Sequence, residues 1–295
     1  MKGVIMAGGL GTRLFPITIG VSKQMLPVYN KPMIYYPLST LMLAGIRDIL
    51  IISTPEDTAR YMALLDNGVH LGIRVSYARQ PFPGGLAQAF ILGEAHIGDS
   101  ACAMILGDNF FYGRALESAL LSAADNAERG GRATAFAHKV RTPKQYGIVE
   151  WGRGWKPVSI EEKPSHPKSR WAATGLYFYP KGVSLKARSI QPSARGELEI
   201  SSLNTLYMQE DLLDVMPLPR TITWMDMGGA DSLYRAAAFV RRAERRIGAL
   251  ISAPEEIAYR QGWTDKAQLA ASAARCSQSP YGAYLKALAE RGGAQ

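Results

Sequence analysis

Short apolar runs alternate with longer mixed stretches through the first hundred residues or so of the chain. Residues 4–6 (VIM), 49–53 (ILIIS), 75–77 and 103–106 (AMIL) read as short strands, and most of them are apolar without interruption. A strand covered on both faces shows that pattern. Between them, residues 36–44, 58–65 and 87–95 carry the spacing of helices. Strand and helix in alternation predict an α/β fold, with a Rossmann-like, doubly wound, mostly parallel sheet. In such a sheet ligands sit beyond the C-terminal ends of the strands. The loops at residues 8–13, 80–86 and 107–109 are therefore the first places to look for chemistry.

The pattern then changes. Residues 134–140, 148–151, 158–162 and 175–179 read as strands broken by Gly and Pro, which predicts an antiparallel extension that holds a second substrate. From residue 231 onward the chain is mainly helical, at 232–247, 267–274 and 281–291, and rich in Ala with scattered charge. That composition suits packing and subunit contacts. The expected division is a core over 1–230, in two parts that meet at about residue 130. A helical segment over 231–295 then serves packing, assembly and regulation. No internal repeat is visible, and the tail at 292–295 is expected to fray.

Composition narrows the functional classes. With 295 residues and 47% hydrophobic content, the chain can bury a large core. Its two cysteines, Cys102 and Cys276, fit a reducing compartment and no disulfide framework. His70, His96, His138 and His166 are too scattered to make a ligand pair, which argues against a zinc site. No apolar run approaches the ~18 residues of a membrane span, so a cytoplasmic protein without a membrane partner is expected. The formal net charge is +9, but the basic residues are dispersed. The densest group, Arg241, Arg242, Arg245 and Arg246, surrounds Glu244 on a predicted helix and reads as a solvated face. No nucleic-acid partner is expected; small anionic substrates gain from a positive field.

The first strand runs into Gly8, Gly9 and Gly11, then Thr12 and Arg13. Glycines let backbone N–H groups approach an anion closely, and the Arg13 fork suits phosphate. The loop matches neither G-x-G-x-x-G nor the Walker pattern, so on its own it is either a phosphate loop or a tight turn. Asp108, directly after a strand, fits a carboxylate holding Mg²⁺ against phosphates, and equally a turn residue or helix cap. Asp226 stands between apolar residues, where a buried carboxylate is costly unless it meets a cation. Glu162, Lys163 and Pro164 follow another predicted strand. There Lys163 is a point charge for phosphate and Glu162 an acceptor for sugar hydroxyls, or the group is an ordinary surface cluster. Lys23 is isolated among apolar residues.

These segments, taken together in order and spacing, resemble the sugar-1-phosphate nucleotidyltransferases. The resemblance is carried by GGLGTRL, the long run from Ser22 to Thr58, GLAQAF, LGDNFFYG, YGIVE, EEKP, TGLYFY, PSARGELEI, WMDMG and PEEIAYRQG, spread over roughly residues 1–285. It is strongest toward members that take dTTP and glucose 1-phosphate. It implies a single in-line displacement at the α-phosphorus of dTTP, with Mg²⁺ as cofactor, giving dTDP-glucose and pyrophosphate. The same chemistry with UTP or another sugar 1-phosphate is the alternative.

Mapped onto this chain, the resemblance implies a role for each candidate. Gly8, Gly9, Gly11 and Thr12 wrap the triphosphate, and Arg13 meets the departing pyrophosphate. Lys23 neutralises charge near the α-phosphate. Gln80 reads the base with both amide groups, helped by the backbone of Gly85. Asp108 and Asp226 hold the metal. Asn109, Gly147, Glu162 and Tyr177 contact the sugar, while Lys163 and Arg195 grip its phosphate. A homotetramer, entry into dTDP-L-rhamnose or other deoxysugar synthesis, and feedback inhibition by dTDP-L-rhamnose at a site including Glu256, Ile257 and Arg260 are also implied. This chain departs from the family pattern at three places that shape the pockets. Gly84 stands in place of an acid, Met227 in place of threonine, and Ala173 in place of valine.

Overall fold

A computed structural model describes residues 1–291 of the chain; the tail 292–295, expected to fray, lies outside the described residues. Four parallel strands form the centre of a nine-stranded sheet, in the order Arg74–Arg79, Asp48–Ser53, Lys2–Ala7, Cys102–Leu106. Their residues alternate between two cores, as the two-residue period of a strand requires. Ile5, Ile51 and Ile105 enter one apolar layer, with helices Tyr35–Leu43, Thr58–Leu65 and Leu116–Glu128. Val4, Leu50 and Met104 enter the other, with helices Gln88–Leu92, Val183–Ser189 and Ile200–Gln209. The α/β fold with both faces covered is thus present as the periodicity predicts.

The sheet continues in antiparallel fashion. Trp171–Tyr179 pairs with Cys102–Leu106 at one end and with Gly147–Trp151 at the other. Ala133–Lys139 also pairs with it, and the register shifts between Ala173 and Tyr177. Gly147–Trp151 and Pro157–Glu162 form a hairpin at the sheet edge. This is the expected antiparallel extension, with one parallel addition, Leu213–Pro217 beside Ala133–Lys139.

A separate two-stranded ribbon joins Asn109–Gly113 to Ile222–Asp226, with Asp226 opposite Asn109. It was not predicted, because its halves lie more than a hundred residues apart in the sequence and neither alternates cleanly. Helix Leu116–Glu128 was also not predicted, although Leu116, Leu120, Ala123 and Ala127 make one buried face. The helix predicted over 87–95 is two short ones, Gln88–Leu92 and Glu94–Ile97, meeting at Gly93, whose dihedrals leave the helical range.

The C-terminal part is helical as expected: Ala230–Ile247, Pro254–Arg260, Lys266–Arg275 and Pro280–Arg291. The first of these does not stand apart. Its Ala236, Val240 and Ala243 pack on Leu14, Leu26, Met33, Tyr36 and Phe110. Beneath that layer Lys31, 1% exposed at its side chain, meets Glu244 at 2.8 Å. Glu244 also accepts from Asn30 Nδ2 and from the Ile251 backbone N–H. So one acid of the segment read as a solvated face is buried and tied to the residue 22–34 loop. No helix among the described residues is long and apolar enough to cross a membrane.

Candidate active site

The three loops at the C-terminal ends of the parallel strands converge on one cavity of about 340 Å³. The loop after Lys2–Ala7 supplies Gly8, Gly9, Gly11, Thr12 and Arg13; the loop after Arg74–Arg79 supplies Gln80, Pro83, Gly85 and Leu86; Asp108 follows Cys102–Leu106. The antiparallel extension closes the opposite wall with Glu162 and Lys163, joined by Arg195, Glu197 and Glu199. Lys23 and Gln24 form part of the floor. Their short turn is anchored because the backbone carbonyl of Gln24 accepts from Ile34 N–H, at the head of a buried helix.

Lys23 is 6% exposed and pairs with the Asp108 carboxylate. Burial alone would raise the Asp108 carboxyl, but the Lys23 ammonium and its hydrogen bond hold it below the ordinary value. Asp226 has the opposite bias. Burial and then the charge of Asp108 push it up to about 6, against the pull of Lys23 and Arg13. Arg13 reaches to 4.0 Å from it. The turn carboxylate of Asp108 and the strand-end carboxylate of Asp226 therefore repel each other at the end of the ribbon. Among the described residues no cluster of three or more His, Cys, Asp or Glu could hold a metal. Two hard oxygen donors beside a phosphate-sized cavity still fit Mg²⁺, which takes one or two carboxylates and completes its shell with substrate phosphates and water.

Four of the candidates for substrate and metal do not line the cavity: Asn109, Gly147, Tyr177 and Asp226. Asn109, expected at the sugar, is held by bonds within the protein. Its Oδ1 accepts from Gly175 N–H at 3.0 Å and from Trp224 Nε1 at 2.6 Å, and its Nδ2 donates to Asp108 Oδ1 at 3.0 Å. It braces the metal-side carboxylate and the ribbon. Gly147 lies opposite Glu162 in the edge hairpin. Tyr177 is buried, and burial with the Glu162 charge raises its phenol. Asp226 sits behind Arg13 and Gly228.

Arg195 lines the cavity and is surrounded by acids. Its Nη2 lies 2.7 Å from Glu199, 3.4 Å from Glu197 and 3.8 Å from Glu162. It organises a wall of three acids, and Lys163, half exposed, is a second cation on this side, 3.7 Å from Glu162. Glu162 is raised by burial and by Glu199, against Lys163 and Arg195. At the proposed regulatory residues, Glu256 and Ile257 are buried. Glu256 takes hydrogen bonds from Arg260 and from Tyr284. Their geometry is that of helix packing, and none of the three lines the cavity.

Residues 2–243 match the family model described as nucleotidyl transferase. The chain belongs to the nucleotidyl transferase family. It is 52% identical to a glucose-1-phosphate thymidylyltransferase of Neisseria meningitidis, over 99% of this chain and 100% of that one. It is 51% identical to the enzyme of that name from Mycobacterium tuberculosis, again over 99% and 100%. Among solved structures, a Bacillus anthracis protein assigned as a glucose-1-phosphate thymidylyltransferase, in complex with a sucrose, aligns with TM-score 0.75 and 36% identity. It covers 82% of this chain and 95% of that one. A UDP-glucose pyrophosphorylase with UDP-glucose aligns with TM-score 0.70 at 24% identity, covering 82% and 98%, a likeness of fold.

Within this nucleotidyl transferase several cavity residues escaped the sequence reading: Gln24, Pro83, Glu197, Glu199 and Gly228. Gln24 stands next to Lys23 and could have been found by its neighbour. The two glutamates lie in a loop with no chemical signature until Arg195 is placed between them. The structure also changes the reading of Gln80. Its amide nitrogen donates to Gln88 Oε1 at 2.8 Å and leans on the Gly85 carbonyl at 3.5 Å. No hydrogen bond to its oxygen is present among the described residues. Gly85 itself has φ +95°, and a Cβ there would strike the Leu198 backbone, so this wall is built for glycine.

Proposed function

We propose that this enzyme transfers deoxythymidylate from dTTP to glucose 1-phosphate, releasing pyrophosphate, in one Mg²⁺-dependent displacement. The observation that carries the reading is the single cavity whose one wall is a glycine-rich loop with Arg13 and Lys23, and whose other wall is Glu162 with Lys163. A triphosphate suits the first wall and a hydroxyl-rich sugar phosphate the second. The near full-length likeness to thymidylyltransferases supports the choice of substrates.

The chemistry needs little bond-making from the protein, so positioning and charge stabilisation dominate. The backbone of residues 8–12 holds the triphosphate, and Arg13 receives the negative charge that builds on pyrophosphate. Lys163 draws the sugar phosphate into line with the α-phosphorus. Lys23, desolvated on the cavity floor, sits where charge grows on the transferred phosphoryl group and counters it in a low-dielectric setting. Glu162 accepts hydrogen bonds from sugar hydroxyls; a wrong epimer leaves that buried acceptor unpaired, which is a strong basis for discrimination. Asp108 and Asp226 are the residues that would hold Mg²⁺, which when bound neutralises phosphate charge. No covalent enzyme intermediate is needed.

The reading extends to a cytoplasmic homotetramer that supplies dTDP-glucose for dTDP-L-rhamnose or another deoxysugar and is inhibited by that end product. The division into a core over 1–230 and a helical segment beyond it belongs to the same proposal, with the buried Lys31–Glu244 pair as the join. The test is pyrophosphate release with glucose 1-phosphate and Mg²⁺, comparing dTTP with UTP, and an Asp108→Asn control. Release that prefers dTTP and disappears in the variant is the expected result. A higher kcat/KM with UTP overturns the choice of nucleotide.

A further inference from the structure

Gln88 was read from the sequence only as part of a helix, and it does not line the cavity. It is nevertheless the nearest hydrogen-bond partner of the Gln80 amide, which faces the cavity. An amide end group carries a donor on one side and an acceptor on the other, and rotation by half a turn exchanges them. At Gln80 one neighbour sets the choice and a second, Gln88, turns its own amide to reinforce it. The Gly85 backbone carbonyl, 3.5 Å from Nε2, can only accept. Gln88 Oε1, 2.8 Å from the same nitrogen, accepts as well. Turning Gln80 over would set its oxygen against the Gly85 carbonyl. Gln80 Oε1 is left facing the glycine loop, close above Gly8.

Gln88 can reach this position because of Gly84. A Cβ on residue 84 would lie 2.6 Å from Cδ, Nε2 and Oε1 of Gln88. The absence of a side chain at 84, one of the places where this chain departs from the family pattern, is what lets the Gln88 amide lie flat against the loop. Gln88 itself is held in the first turn of helix Gln88–Leu92.

We propose that Gln88 is a positioning residue for base selection, locking Gln80 so that it presents an acceptor alone. The inference rests on the reading of the cavity as a nucleoside triphosphate site. An acceptor at that point matches a pyrimidine with an N3–H, as in thymine or uracil. It opposes cytosine, whose N3 is itself an acceptor. Two facing lone pairs leave both groups unpaired in a desolvated site, which is the costly arrangement.

The test exchanges the hydrogen-bonding sense of residue 88. Gln88→Glu keeps an acceptor toward Gln80 Nε2; Gln88→Lys offers only donors and calls the Gln80 oxygen to itself, turning the amide over. Binding of dTTP and dCTP is measured by calorimetry for the wild type and both variants, with thermal unfolding as the check on folding. The expected dTTP-over-dCTP preference stays within about threefold of wild type in Gln88→Glu and falls by roughly tenfold or more in Gln88→Lys. Gln88→Met, close in size and without either group, is expected to fall between them, and its contrast with Gln88→Glu decides the matter if the lysine variant does not fold. An unchanged ratio in the lysine and methionine variants, or an equal loss in all three, overturns the proposal. Pyrophosphate release by the wild type, run in parallel, reports separately on the reaction itself. An enzyme that binds dTTP in preference to dCTP without turnover would sink the function and leave the role of Gln88 standing.

Discussion

The two walls of the cavity are built in different ways. The nucleotide wall hangs from the C-terminal ends of parallel strands, two of them, Lys2–Ala7 and Cys102–Leu106, almost wholly buried, and its charges are Arg13 and Lys23, the latter paired with Asp108. The sugar wall comes from an edge hairpin and a loop, and it crowds Glu162, Glu197 and Glu199 around Arg195. The contrast follows the ligands. A triphosphate needs backbone N–H groups and cations, whereas a sugar needs acceptors for its hydroxyls and one cation for its phosphate. It also follows rigidity: strands covered on both faces hold a loop base more firmly than an edge hairpin does. Chemistry should therefore depend on the first wall and sugar affinity on the second.

The largest expected effect is at the join between the walls. Asp108→Asn should lower kcat for pyrophosphate release by about 10³-fold while the folded state persists, and chelation of Mg²⁺ in the wild type should do the same. A variant with near wild-type kcat would remove Asp108 from the reaction. Next, Lys163→Ala should raise KM for glucose 1-phosphate by roughly 10–100-fold and leave KM for dTTP within about threefold. Steady-state kinetics with each substrate varied in turn will show whether the two losses separate. If both KM values rise together, the walls do not divide the substrates as drawn.

Away from the cavity, the buried Lys31–Glu244 pair offers a sharper contrast, between stability and chemistry. Lys31→Met leaves Glu244 without its cation and should destabilise the fold by about 3 kcal/mol, measured by denaturant unfolding. Burial lowers the Lys31 ammonium against the pull of Glu244, so the pair is held at a cost that the mutation does not refund. The smallest effect expected is on the acid limb of stability. Asp48 keeps a folded pKa below its ordinary value because Lys2, His96 and Arg74 outweigh the opposing effect of burial. Its contribution is complete above the ordinary carboxylate range and is lost as pH falls through the lowered folded value. Asp48→Asn should therefore flatten the fall of Tm with pH below about pH 4, with little change in Tm slope near neutrality.

Much of this architecture was open to reading from periodicity. The strands at 4–6, 49–53 and 103–106 lie in a parallel sheet because runs such as ILIIS have no polar face and must be covered on both sides. The loops that follow the strands at 4–6, 75–77 and 103–106 are therefore legible in the sequence, and Gly8, Arg13, Gln80 and Asp108 on them line the cavity. Other features have no local signal. The ribbon of Asn109–Gly113 and Ile222–Asp226 depends on pairing across the chain. Nothing local in the sequence shows that Gly175 and Trp224 are brought to Asn109, or that three glutamates surround Arg195.

What the sequence alone determined was the order of strands and helices and the short-range chemistry of the glycine loop, because both depend on neighbours a few residues apart. What only the tertiary structure decided was which polar groups remain free. Gln80 has a donor and an acceptor in any sequence, and Gln88 and the Gly85 carbonyl remove one of them. Hydrogen bonds and ion pairs are short-ranged in space with no regard for separation along the chain, so whether a side chain is available to a ligand is settled only when the fold has brought its competitors within reach.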